Sequence, residues 1–200
     1  MAQSTNRISL GPAVTNLASR HPTVTAAAAR TIAEAAPGRF TLGIGAGDSA
    51  VGCDTLRPAT LAILEQGVLT IRKLVNGEAV GYGESEARLR DSAQKPPILV
   101  AGLGPKTLAI AGRVADGVVL TMGRLEAKLA AIATGAEEAG RAPPPFYVLS
   151  TCAISDDPSR HMTTLRIGTA RLGQLEGPGI FADAGLAVNV EFFAHRAASG

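Results

Sequence analysis

Short apolar segments alternate with helix-sized amphipathic segments along most of this 200-residue chain. The apolar segments are residues 8–15, 39–44, 98–101, 117–121 and 146–154. Every connection between them is long enough to hold a helix, and we see no pair of these segments joined by a hairpin turn. Parallel strands require such helix-sized crossovers, so the alternation predicts an α/β fold with a parallel sheet covered by helices.

Five strand-helix units leave two architectures open, an open parallel sheet and a (β/α)8 barrel. A complete barrel usually takes about 250 residues, so five units would make an incomplete TIM-type barrel. Residues 1–200 are predicted to form a single partial-barrel domain, with a loop or small excursion at 78–95 and an irregular tail at 172–200. The apolar positions that predict the first two helices are Val24, Ala27, Ala28, Ile32 and Ala35, then Leu61, Leu64, Val68, Ile71 and Val75.

Composition narrows the range of partners. A net charge of +2 and 4% aromatic residues give neither a basic patch nor a stacking platform, so a nucleic-acid partner is not expected. Cys53 and Cys152 lack neighbours at metal-ligand spacing, so we expect no metal site and two reduced thiols. No run reaches the roughly 18 apolar residues of a membrane span, and the polar start of the chain lacks the apolar core of a signal peptide. These features predict a cytoplasmic protein that is not bound to a membrane.

The glycine-rich turn at 43–48 follows a predicted strand, where glycines let backbone amides approach a ligand. It departs from the dinucleotide-binding fingerprint in the position of its third glycine. A tight turn that needs positive φ explains the same glycines equally well. Asp48 either orients a ligand hydroxyl or caps the next helix.

The segment 101–107 joins a buried strand to a helix that starts with proline, and the N-terminus of such a helix attracts anions. Lys106 adds a positive charge, although no glycine precedes it as in a Walker A loop. Thr121 and Gly123 end the neighbouring strand, and late adjacent loops of parallel barrels often form a phosphate site. The alternative to a phosphate site is that 101–107 is an ordinary helix start and that Lys106 is an exposed lysine.

Catalytic residues are not identifiable from sequence order, because no Ser-His-Asp or paired-carboxylate arrangement is present. His21, beside Arg20, is either a donor to a phosphate or cofactor ring or a surface turn residue. His161 and His195 lie in the poorly patterned part of the chain and are expected to be ordinary polar residues.

Six short motifs resemble, in order and spacing, the luciferase-like monooxygenase superfamily, particularly its coenzyme F420-dependent branch similar to methylenetetrahydromethanopterin reductase. The resemblance covers about residues 7–157. The motifs are LGPAVTN at 10–16, RHP at 20–22, GRF at 38–40, LGIGAGD at 42–48, GLGPKT at 102–107 and ADGVVL at 115–120.

The resemblance implies a (β/α)8 barrel with coenzyme F420, or alternatively FMN, across the face where the strands end. It places residues 7–15 as the third strand of that barrel, with a non-proline cis peptide at Ala13–Val14. Thr15 and Asn16 would contact the ring, while the loops after the later strands would surround the phosphate. The implied cofactor-binding residues are Ala13, Val14, Thr15, Asn16, Gly45, Asp48, Gly102, Gly104, Lys106, Thr121 and Gly123.

The implied activity is hydride transfer between F420 and a small organic substrate, because hydride chemistry belongs to the cofactor and the protein orients it. The alternatives are an FMN-dependent monooxygenase and a non-catalytic or partner-completed barrel fragment. The family's first two strands, with their acid-base groups, are not found ahead of Met1. An open sheet would expose its edges, which a homo-oligomer could cover.

Overall fold

The computed structural model of the protein describes residues 1–47, 51, 56–90, 93–177 and 180. Five parallel strands form the central sheet, in the spatial order β1-β2-β5-β6-β7, and two further strands form a separate hairpin. The strands are β1 Thr15–Asn16, β2 Leu42–Gly45, β3 Val80–Tyr82, β4 Ser85–Ala87, β5 Ile98–Ala101, β6 Gly117–Thr121 and β7 Phe146–Leu149. The α-helices are α1 Pro22–Ala35, α2 Leu61–Val75, α3 Pro105–Val114, α4 Leu125–Glu138 and α5 Met162–Glu176.

The central sheet has the arrangement of an incomplete barrel. Its strands lie side by side in chain order, apart from the hairpin between β2 and β5, and each pair is parallel. The carboxyl ends of all five strands therefore meet at one edge of the sheet. The predicted α/β class and partial barrel are confirmed.

Helix α2 shows how the sequence positions the outer layer. Thr60 caps its start, since the Thr60 hydroxyl accepts a hydrogen bond from the Ile63 amide at 3.3 Å. Its buried face packs towards the sheet and the neighbouring helices through Leu64, Gly67, Val68, Ile71, Leu74 and Val75. The predicted helix is confirmed, except that Leu61 at its first turn is 39% exposed.

The buried face of α1 differs from the predicted one. Val24 and Ile32 are 55% and 40% exposed, while Ala26, Ala29 and Ala33 are buried. In an alanine-rich helix several faces have similar hydrophobicity, so periodicity alone does not decide which one packs. The small side chains suit close packing against α2, and the larger ones remain outside.

A buried arginine joins α1 to the end of α2. The guanidinium of Arg30 is 5% exposed and donates to the carbonyls of Leu74 and Val75 in the last turn of α2 and to that of Arg90. Helix C-termini leave carbonyls without intrahelical partners and carry partial negative charge. Arg30 supplies hydrogen-bond donors to two of these carbonyls and places a positive charge at that end of the helix.

A second ion-pair group joins three outer helices. Arg113 of α3 contacts Glu65 of α2 and Glu138 of α4, at 2.7 and 2.5 Å. The hydrogen bond that Arg113 donates to the Glu65 carboxylate, and then that to the Glu138 carboxylate, raises the pKa of the Arg113 guanidinium above its already high ordinary value. Both carboxylates therefore favour the charged form of Arg113, which joins the three helices.

The first strand is shorter than predicted. Of residues 8–15, only Thr15 belongs to β1, although Leu10 forms an isolated parallel bridge with Phe40. Pro12 has no amide hydrogen to donate to a ladder, so regular pairing stops in this stretch. The last strand is also shorter, because β7 ends at Leu149 rather than at residue 154.

Residues 78–95 contain a structure that the sequence pattern did not reveal. Strands β3 and β4 pair in antiparallel register, with Val80 opposite Ala87, and Gly83 supplies positive φ in the turn. The predicted loop or small excursion therefore contains a hairpin, which is separate from the five strand-helix units. The segment is polar and exposed, so it lacks the alternating apolar pattern by which half-buried strands are recognised.

The C-terminal part of the described chain holds a short 3-10 helix and then α5. Asp157 caps a short 3-10 helix, Pro158–His161, by accepting from the Ser159 amide at 3.1 Å. Helix α5 then runs to Glu176, five residues into the segment predicted to be irregular. The rest of that segment, apart from residues 177 and 180, lies outside the described residues.

Within the described ranges, no helix is long and apolar enough to cross a membrane. The same residues hold no group of three or more His, Cys, Asp or Glu side chains that could bind a metal ion.

Candidate functional site

A cavity of about 490 Å³ opens at the carboxyl ends of the parallel strands. Residues at or just beyond the ends of β1, β2, β5, β6 and β7 contribute to its wall. Eight of the eleven predicted cofactor-binding residues line it: Ala13, Val14, Thr15, Asn16, Gly45, Gly102, Gly104 and Thr121. The carboxyl-terminal edge of a parallel sheet is where barrels and open α/β sheets bind ligands.

The other three predicted residues are placed differently. Lys106 is exposed and does not line the cavity. Gly123 packs beside Glu176 and Ile180, since a Cβ on Gly123 would lie 3.2 Å from the Glu176 carboxyl carbon and 3.1 Å from the Ile180 side chain. Asp48 lies outside the described residues.

His21 has a local structural contact instead of a place in the cavity. It precedes α1 and caps that helix, because its Nδ1 atom accepts from the Thr23 amide at 3.3 Å. Its ring also meets the Tyr82 ring edge-on, with the ring centres 5.1 Å apart. Of the two interpretations that the sequence left open, the structure favours the turn residue.

Two glycines of β2 make room for the segment that precedes β1. The peptide between Ala13 and Val14 is cis, as the resemblance implied. A Cβ on Gly43 would overlap the carbonyl oxygen of Pro12 and lie 3.0 Å from the Val14 side chain. A Cβ on Gly45 would lie 3.0 Å from the other Val14 methyl. Glycine is therefore needed here for close backbone approach, which brings Ala13 and Val14 to the cavity wall.

Asn16 ends β1 and is held by its own turn. Its side-chain oxygen accepts from the amides of Ala18 and Ser19, at 3.0 and 2.9 Å, and from the Ser19 hydroxyl at 3.0 Å. The residue is only 9% exposed. Three hydrogen bonds to one oxygen fix the orientation of this carboxamide at the cavity.

The N-terminus of α3 borders the same cavity and is uncapped. Gly104 is the N-cap residue, and no side chain bonds to the first turn. The amides of Lys106 and Thr107 have no hydrogen-bond partner among the described residues. A side chain on Gly104 would project into open space, with no atom within 4 Å of its Cβ. Free amides, a glycine and the positive end of a ten-residue helix together suit an anion.

A second cavity, of about 380 Å³, lies on the other side of this loop. Leu103 and Gly104 border both cavities. The second cavity is also lined by Lys128 of α4 and Glu176 of α5. Each of these two side chains is only 5% exposed, and they form an ion pair.

Thr121 connects this ion pair to the first cavity. The Lys128 ammonium group donates to the Thr121 carbonyl at 3.1 Å and to its hydroxyl at 2.9 Å. The Thr121 hydroxyl in turn donates to the Glu176 carboxylate. Because Thr121 also lines the first cavity, the ion pair fixes one group of the wall.

Neither Lys128 nor Glu176 was identified from the sequence as part of the site, although the position of Lys128 in its helix indicates a buried partner. Lys128 lies three positions after Leu125 and four before Ile132, so it falls on the apolar face of α4. A lysine at such a position is expected to have a buried partner. Glu176 lies where apolar periodicity is weak, so nothing in the sequence connected it with Lys128.

Comparison with known proteins gives a consistent result. The sequence profile of the luciferase-like monooxygenase family matches residues 1–184. The chain is 34% identical over 172 residues to 5,10-methylenetetrahydromethanopterin reductase of Archaeoglobus fulgidus, covering 80% of this chain and 51% of that protein. The chain thus spans about half the length of the curated relatives it matches.

Solved structures show the same fold. The coenzyme F420-dependent tetrahydromethanopterin reductase of Methanopyrus kandleri superposes with a TM-score of 0.76 at 22% identity, covering 92% of this chain and 62% of that one. The oxygenating component of 3,6-diketocamphane monooxygenase from Pseudomonas putida, in complex with FMN, gives 0.70 at 19% identity, with 96% and 65% covered. Both comparisons fit an incomplete barrel. With its five-strand partial barrel and a family match over residues 1–184, the chain belongs to the luciferase-like monooxygenase family.

Proposed function

We propose that the cavity at the strand ends binds the ring of coenzyme F420, and that the protein transfers a hydride between this cofactor and a small organic substrate. One observation carries the proposal: residues from three separate motifs, together with Thr121, all predicted to bind the cofactor, line one cavity. Those motifs are far apart in sequence, so a shared wall is a specific outcome of the fold.

The residues of the wall fit such a cofactor. Ala13, Val14 and the small residues around Gly45 offer an apolar surface for a flat ring, and Asn16 offers a fixed polar group. The uncapped start of α3 suits the phosphate of the same molecule. The bound deazaflavin would supply the hydride chemistry, and the protein would bind it, orient it and limit water at the ring.

The ion pair of Lys128 and Glu176 has a supporting role in this proposal. It holds the hydroxyl and carbonyl of Thr121 at the rim. Thr121 is then a rigid part of the wall instead of a mobile side chain. Rigid supports keep a binding site in its productive geometry.

An FMN-dependent monooxygenase is the second candidate. The FMN-containing monooxygenase that superposes on 96% of this chain favours it. FMN carries a phosphate on a comparable chain, so the start of α3 would serve either cofactor. Two F420-dependent dehydrogenases are 33% and 37% identical to this chain over the aligned residues, which is why we place F420 first.

Completion by another chain is a third candidate. All four residues of β7 are at least 41% exposed, although strands of parallel sheets are normally covered on both faces. A fragment with this edge open would bind the cofactor weakly or require a partner. A homo-oligomer, a cytoplasmic location and the absence of a nucleic-acid partner stay predictions from the sequence.

Parallel titrations of the purified chain with F420 and with FMN, followed by cofactor fluorescence, test the proposal. We expect saturable binding of F420 that is tighter than that of FMN. Tighter FMN binding would favour the monooxygenase instead. Binding of neither cofactor, at protein concentrations high enough to form oligomers, would refute the proposed function for this chain. Oxidation of reduced F420 by carbonyl substrates then tests the hydride transfer itself.

A further inference from the structure

We infer that Asn16 selects ligands by a fixed hydrogen-bond polarity: its carboxamide presents only N–H donors to the cavity, and therefore requires an acceptor on the edge of the ring that meets it. This inference rests on the proposed function and adds to it the chemical nature and orientation of the bound edge. It depends on which atom of the carboxamide faces the turn and which faces the cavity.

The turn identifies the oxygen of Asn16 without ambiguity. The side-chain O and N of asparagine look alike in shape, and their assignment has to come from the surrounding hydrogen bonds. Here the atom facing the turn contacts two backbone amides, of Ala18 and Ser19. A backbone amide is only a donor, so the atom that meets two of them must be the acceptor oxygen. Flipping the carboxamide would place NH₂ against two N–H groups.

The nitrogen of Asn16 is consequently the atom left for a ligand. Over the described part of the chain, the Asn16 nitrogen has no hydrogen-bond partner. Among these residues, the side-chain polar atom that is both fully buried and without a hydrogen-bond partner is Arg30 Nε, so the unpaired Asn16 nitrogen is not fully buried. The Asn16 nitrogen is thus accessible, although the residue is more than nine-tenths buried, and the cavity is the space that Asn16 lines.

A ligand that fills the cavity displaces water from the Asn16 nitrogen, and a donor that becomes buried without a partner is unfavourable, so a ligand that brings an acceptor is favoured. A carbonyl oxygen or an imine nitrogen on a flat ring meets this need, and both occur on the pyrimidine-dione side of flavin and deazaflavin rings. The start of α3, the proposed phosphate site, lines the same cavity and follows β5, which lies two strands from β1 in the sheet. The inferred orientation therefore places the dione side at Asn16 and the phosphate-bearing chain at Gly104.

The test changes the polarity of residue 16 while keeping its shape and its turn. In Asn16→Asp, one carboxylate oxygen still accepts from the Ala18 and Ser19 amides, but the other presents lone pairs where N–H groups were. The matched control is Asn6→Asp, the same chemical change at an exposed position away from the cavity. Ser19→Ala removes one of the three hydrogen bonds that hold the Asn16 oxygen, while the two backbone donors remain.

The probes are F420 and 5-deazariboflavin, which has the same pyrimidine-dione edge but no phosphate, so that charge repulsion with the phosphate is separated from the loss of the donor. We expect Asn16→Asp to weaken binding of both probes by about 10- to 100-fold, the range of one lost hydrogen bond with an opposed acceptor. Asn6→Asp should change neither affinity by more than about twofold, and Ser19→Ala by no more than about threefold.

The outcomes separate this inference from the proposed function. If wild type binds both probes and Asn16→Asp binds them within about threefold of wild type, while melting at the same temperature, the inference is wrong and the proposed function stands. A large loss for F420 alone would mean that charge, not polarity at the ring, is what matters, and would also overturn it. If wild type binds neither probe, both the function and the inference fall.

Discussion

Replacing Lys128 by methionine should destabilise the protein more than removing Lys128 and Glu176 together. The two side chains are each 5% exposed, so the single change leaves the Glu176 carboxylate buried beside Thr121 without its cation. Breaking one partner of a buried pair typically costs about 3–5 kcal/mol, whereas replacing both by apolar residues is often neutral or favourable. Lys128 also donates to the Thr121 carbonyl, and the loss of this hydrogen bond adds to the cost.

The cost has an upper limit set by helix α5. If the free energy of docking α5 is smaller than the cost of burying Glu176 alone, α5 detaches and the carboxylate returns to water. Ile167 and Met162 are 60% and 41% exposed, so little apolar burial holds most of this helix in place. We therefore expect a loss of about 3 kcal/mol for Lys128→Met, equivalent to roughly 6–12 °C in Tm for a chain of this size.

Urea unfolding followed by far-ultraviolet circular dichroism measures the four members of the cycle: wild type, Lys128→Met, Glu176→Met and the double variant. We predict that the double variant is at least about 2 kcal/mol more stable than the sum of the two single losses implies. Equal m-values would show that the comparison is between equivalent transitions. Strictly additive losses would mean that the two side chains do not interact, and would refute the reasoning.

Three further changes have expected outcomes. Gly43→Ala would place a methyl group against the Pro12 carbonyl, so it should lower the free energy of unfolding in urea by about 1–3 kcal/mol and weaken F420 binding. The control Gly81→Ala, whose Cβ would have no atom within 4 Å, should do neither, and equal effects of the two variants would contradict the close packing at Gly43. Arg30→Met should cost about 2–4 kcal/mol, because it leaves the Leu74 and Val75 carbonyls unpaired, and an unchanged unfolding midpoint would disprove this anchor. Thr60→Ala should cost about 1 kcal/mol through the lost cap of α2, measured as a fall in Tm, with cofactor affinity unchanged; a lower affinity would show that this cap acts on the site.

The parts of the fold that the sequence predicts well are those where local pattern and tertiary packing agree. Strands β5 and β6 match the predicted 98–101 and 117–121, because each is a continuous apolar run bounded by turn residues. The face of α1 was not predictable in the same way, since its alanines make several faces alike. Residues 80–87 form a largely exposed hairpin whose sequence shows no alternating apolar pattern.

The site was predictable only in part, for a comparable reason. Glycines and small residues at strand ends are visible in the sequence, and the fold brings most of them to one cavity. Lys128 and Glu176 are 48 positions apart and meet only through the packing of α4 and α5. The role of Asn16 depends on the direction of two backbone amides, which no pattern of residue types contains.

The most direct test of the central claim is to map the bound cofactor on the chain by ¹H–¹⁵N correlation spectra of the labelled protein during titration with F420. We predict that the amide signals that shift most belong to residues 13–16, 45–47, 102–107 and 119–121, around the cavity at the strand ends. Shifts confined to the hairpin, to β7 or to the outer faces of the helices would place the cofactor elsewhere and contradict the account.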